Sequence, residues 1–423
     1  MGKNKKIIGI IGTGYIGLPL AVELSKFNRV IAYDKNSDRI KSLKRNIDYT
    51  HEVNPNVLKR KNILFSSKKS KLETCNIFIV TVPTPIYKTF KPDLSSLIDA
   101  TKLISNFLKN GDLVIYESTV YPGCTEEICI PMLERETNLR LNKEFYVGYS
   151  PERINPGKSI YKLTNTDKIV SGSNFKAIKM IKDIYQKIIK KPLYVAENIK
   201  TAEAAKIIEN TQRDLNIALM NELSIIFNKL KIDTSNVIRA ASTKWNFNYY
   251  QPGLVGGHCI GVDPYYLTYK SKQLGYNPKV ILAGRKINDK MGSYIGQQIL
   301  RKSKIQKIKK PKALILGFTF KENCVDIRNS KVPDIANYLI KKEFKVNLHD
   351  PNLNKDILKK NKFRKVFLNS LNRKNYFDII IIAVAHDIFK KIGIKRIKSY
   401  GKKNALIFDI KGIFPKEKNS WKL

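Results

Sequence analysis

At 423 residues the chain is long enough for two or three domains with cores of their own, and its 43% hydrophobic content is that of a globular protein. Five cysteines, scattered and without a Cys-x-x-Cys pair, exclude a disulfide framework and a zinc knuckle, so a reducing cytoplasm and no metal site are expected. The net charge of +42 reads first as compositional drift, because lysines mix with Ile and Asn along nearly the whole length. Steering of small anions ranks second and a nucleic-acid function a distant third.

Lys3, Lys5 and Lys6 before an apolar run imitate a signal peptide, but Gly12, Gly14, Gly17 and Pro19 interrupt it and no small-residue cleavage site follows. Lys6 stands where myristoylation wants Ser or Thr, and the longest apolar run, 379–385, is too short to cross a bilayer. No membrane association is expected.

The first run, 6–11, reads as a strand ending in Gly12-Thr13-Gly14-Tyr15-Ile16-Gly17; a helix over 18–27 and a strand over 29–33 closing on Asp34 follow. In that context the glycines have distinct tasks: Gly12 makes the turn, Gly14 lets a pyrophosphate approach, and Gly17 lets helix and strand pack. Asp34 would accept from the adenosine ribose, and its charge favours NAD over NADP. Further strands at 77–82, 113–116 and 145–149 lead into loops carrying Pro83, Thr84 and Pro85, then Glu117, Ser118 and Thr119, then Glu152 and Arg153. Loops at the carboxyl ends of parallel strands are where ligands bind, so Thr119 and Glu152 are candidates to reach the reacting end of the cofactor.

Residues 201–231 hold no Gly or Pro, and Ala205, Ile208, Leu215, Leu219, Leu223 and Ile226 recur at helical period. Lys206 and Asn210 share one face of that helix. Near residue 252 the chain reads Pro252-Gly253-Leu254-Val255-Gly256-Gly257-His258-Cys259, with Asp263 four residues on. Taken alone, Cys259 is equally a packed thiol and a nucleophile reached across two glycines. Residues 303–312 read as a linker. Strands at 313–316, 344–348, 378–384 and 406–408, with a helix at 331–341, make a second α/β unit without the glycine fingerprint. Its loop 318–328 offers Lys321 and Arg328 to phosphates, and Lys411 is a further anion contact.

Six segments together resemble the UDP-glucose/GDP-mannose dehydrogenase family over the whole chain. They are 12–19, 117–120, 150–153, 206–210, 256–263 and 318–328, in the family's order and spacing. Residues 208–218 and 254–267 resemble the branch acting on UDP-N-acetylglucosamine and UDP-N-acetylgalactosamine in capsule, Vi-antigen and O-antigen synthesis. The resemblance implies two Rossmann-like doubly wound domains joined by a long central helix and a helical middle domain, with boundaries at 1–198, 199–302 and 303–423. It further implies NAD, a UDP-sugar, a homodimer through the central helix, and four-electron oxidation of C6 to a carboxylate. Cys259 would be the nucleophile, Lys206 and Asp263 would handle the first proton, Asn210 and Lys206 would stabilise oxyanions, Glu152 would activate water, and Thr119 would position it.

By the same resemblance Gly12, Gly14, Tyr15, Ile16, Gly17, Asp34, Arg39, Pro83, Thr84, Thr119 and Arg328 contact the cofactor. Glu152, Arg153, Lys206, Asn210, Tyr250, Gly253, Gly256 and Lys321 contact the sugar nucleotide. The glucose branch has a second glutamate where this chain has Pro156, which turns the expectation toward UDP-N-acetylglucosamine, with UDP-N-acetylgalactosamine next. UDP-N-acetylmannosamine, UDP-glucose and GDP-mannose remain alternatives. A two-electron hydroxyacid dehydrogenase would need neither Cys259 nor residues 313–411.

Overall fold

The computed structural model describes residues 6–154, 163–257, 259–353, 358, 361–415, 417 and 420–423. His258 and Pro156 lie outside the described residues. The chain divides into two compact units, Met1–Glu209 with Tyr265–Asn277, and Asn210–Pro264 with Pro278–Leu423.

The apolar runs of the first unit form strands β1 (Ile7–Ile11), β2 (Arg29–Tyr33), β3 (Ile63–Ser66), β4 (Ile77–Val80), β5 (Leu113–Tyr116), β6 (Tyr146–Tyr149), β7 (Lys168–Gly172) and β8 (Leu193–Val195). They make one sheet in the order β3-β2-β1-β4-β5-β6-β7-β8. Every pair is parallel except β6 with β7. Near-continuous runs such as Ile7–Ile11 suit strands covered on both faces, and helices do the covering. These are α1 (Gly17–Leu24), α2 (Ser37–Lys44), α3 (Ser95–Ser105), α4 (Ile130–Thr137) and α5 (Phe175–Tyr185). The strand order reverses between β1 and β4, so a crevice opens at their carboxyl ends, where the glycine turn lies.

Helix α6 (Ile199–Leu230) runs out of the first unit into the second, followed by α7 (Thr234–Ala241), α8 (Asp263–Gln273) and α9 (Lys279–Ile305). The second sheet is wholly parallel in the order β10-β9-β11-β12-β13, built from β9 (Lys312–Leu316), β10 (Lys345–His349), β11 (Phe377–Ile382), β12 (Gly401–Asp409) and β13 (Ser420–Trp421). Helices α10 (Val332–Lys341) and α11 (Asp387–Lys398) flank it. Met291, Ile295 and Ile299 of α9 join Ile335, Leu339, Ile379 and Ile381 in one core. The fold is therefore the α/β arrangement expected, with Rossmann-like sheets and a helical middle region.

Two sequence expectations change. The 303–312 linker is shorter, because α9 continues to Ile305. The apolar stripe of α6 is also not its buried face: Ile208, Leu219 and Ile226 are 60%, 50% and 44% exposed. The buried face instead mixes Ala202, Ile207, Ala218 and Met220 with Glu203, Lys206, Asn210, Thr211, Asp214, Asn221 and Ser224. The helical period was legible, but its inward side carries polar groups because Glu203, Asn210, Asp214 and Asn221 meet partners supplied from elsewhere in the chain.

Candidate active site

The glycine turn is held in a left-handed conformation at Gly12 (φ +99°), whose N–H donates to the Tyr33 carbonyl at 2.8 Å. A Cβ on Gly17 would sit 1.9 Å from the Gly12 oxygen, whereas one on Gly14 would meet nothing within 4 Å. No side chain caps the start of α1, where the Leu18 N–H donates to the Gly14 carbonyl at 3.2 Å, so the helix start keeps its partial positive charge for an anion. Asp34 Oδ2 accepts from the Thr13 N–H and hydroxyl, each at 2.9 Å. Arg39 donates through Nε and Nη2 to the Thr13 carbonyl and through Nη2 to Asp48. Its Nη1 is buried without a hydrogen-bond partner among the described residues. Open space at Gly14, an uncapped helix start and an orphaned guanidinium N–H fit a dinucleotide.

Tyr15 and Ile16 are half-buried beside the turn, and Pro83 is exposed. The Thr84 hydroxyl donates to the Thr119 carbonyl at 2.7 Å, tying the loops after β4 and β5 together, and the Tyr266 hydroxyl donates to the Thr84 carbonyl at 2.8 Å. Glu203, fully buried in α6, accepts the N–H groups of Gly123 and Thr125 and pins the far end of the Thr119 loop. Gly17→Ala is expected to prevent proper folding of this turn, while Gly14→Ala should fold and raise the NAD KM by about ten-fold or more. Melting curves and NAD titrations of both variants check this; equal behaviour would refute the division of labour.

Glu152 follows β6 and is buried, with a carboxylate oxygen accepting the Ile154 N–H. Burial pushes its carboxyl up to about 7. The ammonium groups of Lys206 and Lys168 pull against that, and the Glu117 and Glu209 carboxylates add to it. Arg153 pairs with Glu209 at 2.8 Å and donates to the Asp167 carbonyl. A carboxyl poised near neutrality can take a proton from water at physiological pH.

In the second unit Cys259 is exposed, and its carbonyl accepts the Val262 and Asp263 N–H groups at the start of α8. Asp263 is buried and accepts from the Asn210 amide at 2.6 Å. The turn before the thiol leans on the loop after β9. The Gly257 N–H donates to the Arg328 carbonyl, the Asn329 amide donates back to Gly257, and a Cβ on Gly257 (φ +83°) would strike the Phe320 ring at 2.6 Å. Glycine is therefore required there by contact and by conformation. Lys321 and Tyr250 are half-buried, and the Arg328 guanidinium is exposed and held by Asp326. A Cβ on Gly253 would come within 2.6 Å of the Lys411 ammonium, and one on Gly256 within 2.8 Å of the Asn329 carbonyl.

Buried side chains reach this loop from α6 and α9. Arg285 pairs with Asp214 at 2.6 Å; Asn288 donates to Asp214 at 2.7 Å; Asn221 donates to Asn288 and exchanges hydrogen bonds with both backbone groups of Gly253. The predicted residues thus come together as Asn210 with Asp263, Glu152 with Lys206, Thr84 with Thr119, and Asp34 with the glycine turn. Sequence reading assigned no role to Lys168, Glu203, Asp214, Arg285 and Asn288, of which Asp214 stands in a segment singled out there, 208–218. It also missed the pair formed by fully buried His386 and Asp350, where Asp350 accepts the Phe318 and Thr319 N–H groups of the loop after β9. Among the described residues no three His, Cys, Asp or Glu could hold a metal, and no helix is long and apolar enough to cross a membrane.

A dinucleotide turn on one sheet, a second parallel sheet with a cationic loop at its own switch point, and an exposed thiol four residues before a buried carboxylate are the features of a nucleotide-sugar oxidoreductase. The comparisons agree. The NAD binding, central and UDP binding domains of the UDP-glucose/GDP-mannose dehydrogenase family match residues 6–189, 200–290 and 314–416, and the chain belongs to that family. It is an NAD-dependent dehydrogenase, and its UDP binding domain fits a UDP-sugar substrate. It is 49% identical to a UDP-N-acetyl-D-glucosamine 6-dehydrogenase of Salmonella typhi across 100% of both chains. A protein of the same name from Pseudomonas aeruginosa is 47% identical over 98% of this chain and 99% of its own. The solved structure of a UDP-D-ManNAc dehydrogenase from Pyrococcus horikoshii superposes with a TM-score of 0.85 at 30% identity, covering 96% of each chain.

Proposed function

We propose that the chain oxidises C6 of UDP-N-acetylglucosamine to the uronic acid, through a covalent intermediate on Cys259, as a cytoplasmic step in surface-polysaccharide synthesis. The observation that carries the covalent reading is the exposed Cys259 thiol on a glycine turn, followed at α8 by Asp263 in contact with Asn210. The relatives of the same name, 49% and 47% identical, support the substrate. Bound NAD supplies the hydride acceptor in each of two oxidations.

Asp263 and Lys206 take the C6 hydroxyl proton as the alcohol becomes an aldehyde. The Cys259 thiolate adds to that carbonyl carbon, and the resulting thiohemiacetal oxygen is stabilised by Lys206 and Asn210. Loss of a second hydride leaves a thioester. Glu152, with Thr119 orienting the water, removes its proton as it attacks, and the thiolate leaves. The balance is one alcohol, one water and two NAD giving one carboxylate, two NADH and three protons. Tyr250, Gly253, Gly256, Arg153 and Lys321 bind the sugar nucleotide in this reading, and Arg328 contacts the cofactor.

Ile208, Leu219, Ile226 and Leu230 are exposed at intervals of 11, 7 and 4, which returns them to one side of α6. That uncovered stripe supports a homodimer through the central helix.

NADH formation should be counted against sugar consumed for a panel of UDP- and GDP-sugars. Two NADH per UDP-N-acetylglucosamine, with uronate as product, is expected; one NADH with aldehyde released would overturn the four-electron reaction. The similarity to a UDP-D-ManNAc dehydrogenase structure makes UDP-N-acetylmannosamine the second reading, and greater kcat/KM for it in the same panel would establish that instead.

A further inference from the structure

A buried ion pair, Lys168 with Glu117, acts on the Glu152 carboxyl. The Lys168 ammonium is 3.1 Å from Glu117 Oε1 and 3.4 Å from the Pro151 carbonyl, one residue before Glu152. It also lies 4.7 Å from the centre of the Tyr185 ring, whose hydroxyl donates to Glu117. Both side chains are almost wholly buried, at 5% and 1% exposure, and Glu117 Oε2 has no hydrogen-bond partner among the described residues. A buried pair of this kind contributes little net stability.

The sheet explains how the pair arrives there. β7 is antiparallel to β6, pairing Gly148 with Gly172 and Tyr149 with Ser171. That reversal brings the first residue of β7, rather than its last, to the sheet edge where the loops after β5 and β6 emerge. Continuing the register three residues beyond Tyr149 places Glu152 across from Lys168. Glu117, the first residue after β5, closes the arrangement from the neighbouring strand.

We propose that Lys168 and Glu117 are positioning residues for Glu152: Lys168 holds the Pro151 carbonyl and presents a positive charge to the base, and Glu117 with Tyr185 fixes and partly offsets that charge. The inference rests on the reading of Glu152 as the base that activates water. The other charges facing Glu152 are Lys206 and Glu209 on α6, the latter paired with Arg153. Burial raises the Glu152 carboxyl to about 7; Lys168 and Lys206 draw it down, and Glu117 and Glu209 push it up. The pair thus pulls in both directions on one group, and its halves have opposite signs.

That opposition provides the test. The Glu152 carboxyl is titrated by carbon-13 NMR of glutamate-labelled protein, its signal identified by its loss in Glu152→Gln, beside the pH profile of NADH formation. Lys168→Met should move the midpoint up by about one pH unit and Glu117→Gln should move it down by a similar amount. Lys168→Arg should leave it in place, and Lys168→Met with Glu117→Gln should fall between the single variants. Loss of a purely structural contact would move both single variants the same way or neither, and either result overturns the proposal. Should Lys168→Met fail to fold, Glu117→Gln decides alone, with an unchanged or raised midpoint counting against it. If the carboxyl shifts as expected while the acid limb of the pH profile stays still, the role of Glu152 as base falls and the positioning of Glu152 stands.

Discussion

Cys259→Ser is expected to lower uronate formation by at least about 1,000-fold, because a hydroxyl at neutral pH is a far poorer nucleophile than a thiol. The change is nearly isosteric, and Cys259 is exposed at the end of its turn, so the fold should tolerate it. The backbone contacts that shape the site do not involve the sulfur: the Cys259 carbonyl still accepts from Val262 and Asp263, and Gly257 still donates to Arg328. In the proposed reaction the first oxidation uses Asp263 and Lys206 but no thiol, so the variant should stop at the aldehyde stage with one NADH per sugar. Rapid-quench measurement of NADH and mass spectrometry of the product check both parts. Uronate formed at the wild-type rate would show that the aldehyde is oxidised without covalent attachment.

Arg285→Leu should destabilise the second unit by about 3–5 kcal/mol, the cost of leaving a buried carboxylate without its partner. Asp214 is fully buried, and burial pushes its carboxyl up against the opposing pull of Arg285. Arg285 also pairs with Asp289 at 2.6 Å, but Asp289 keeps Lys331 at 2.9 Å, so the charge left without its partner is that of Asp214. Combining Arg285→Leu with Asp214→Leu should recover much of the stability, since the unpaired charge is then gone. Urea unfolding midpoints of the single and double variants measure this, and a single variant within about 1 kcal/mol of wild type would refute it. Because Asn288 and Asn221 carry the same network to Gly253, the single variant should also loosen the loop that bears Cys259, seen as faster amide exchange at Gly253.

The dinucleotide turn was legible because its constraints are local. Gly14 and Gly17 answer to clearance at the backbone and to a contact with Gly12 within one strand–turn–helix, and Asp34 closes the unit one strand later, although Thr81 after β4 also crowds Gly12 and Gly17. Most strands of both sheets were legible as short apolar runs, and the loops after them followed from the parallel order, but β3, β7, β8 and β13 were not read. Helix α9 was not singled out, because Gly284, Gly292 and Gly296 weaken helix propensity; they are tolerated since Leu215, Asp334 and Tyr338 pack where their side chains would be.

By itself the sequence determined where the cofactor turn, the thiol and the helical segment at 201–231 lie, since each is written in contiguous residues. Only the tertiary structure decided which side of α6 is inside. Periodicity records spacing but not direction, and the buried side admits polar groups because Asp214 and Asn221 meet Arg285 and Asn288, 71 and 67 residues away. It likewise decided that β7 runs against β6 and brings Lys168 to the end of the sheet where Glu152 emerges. Strand direction depends on how the sheet closes, and no short stretch of sequence encodes it.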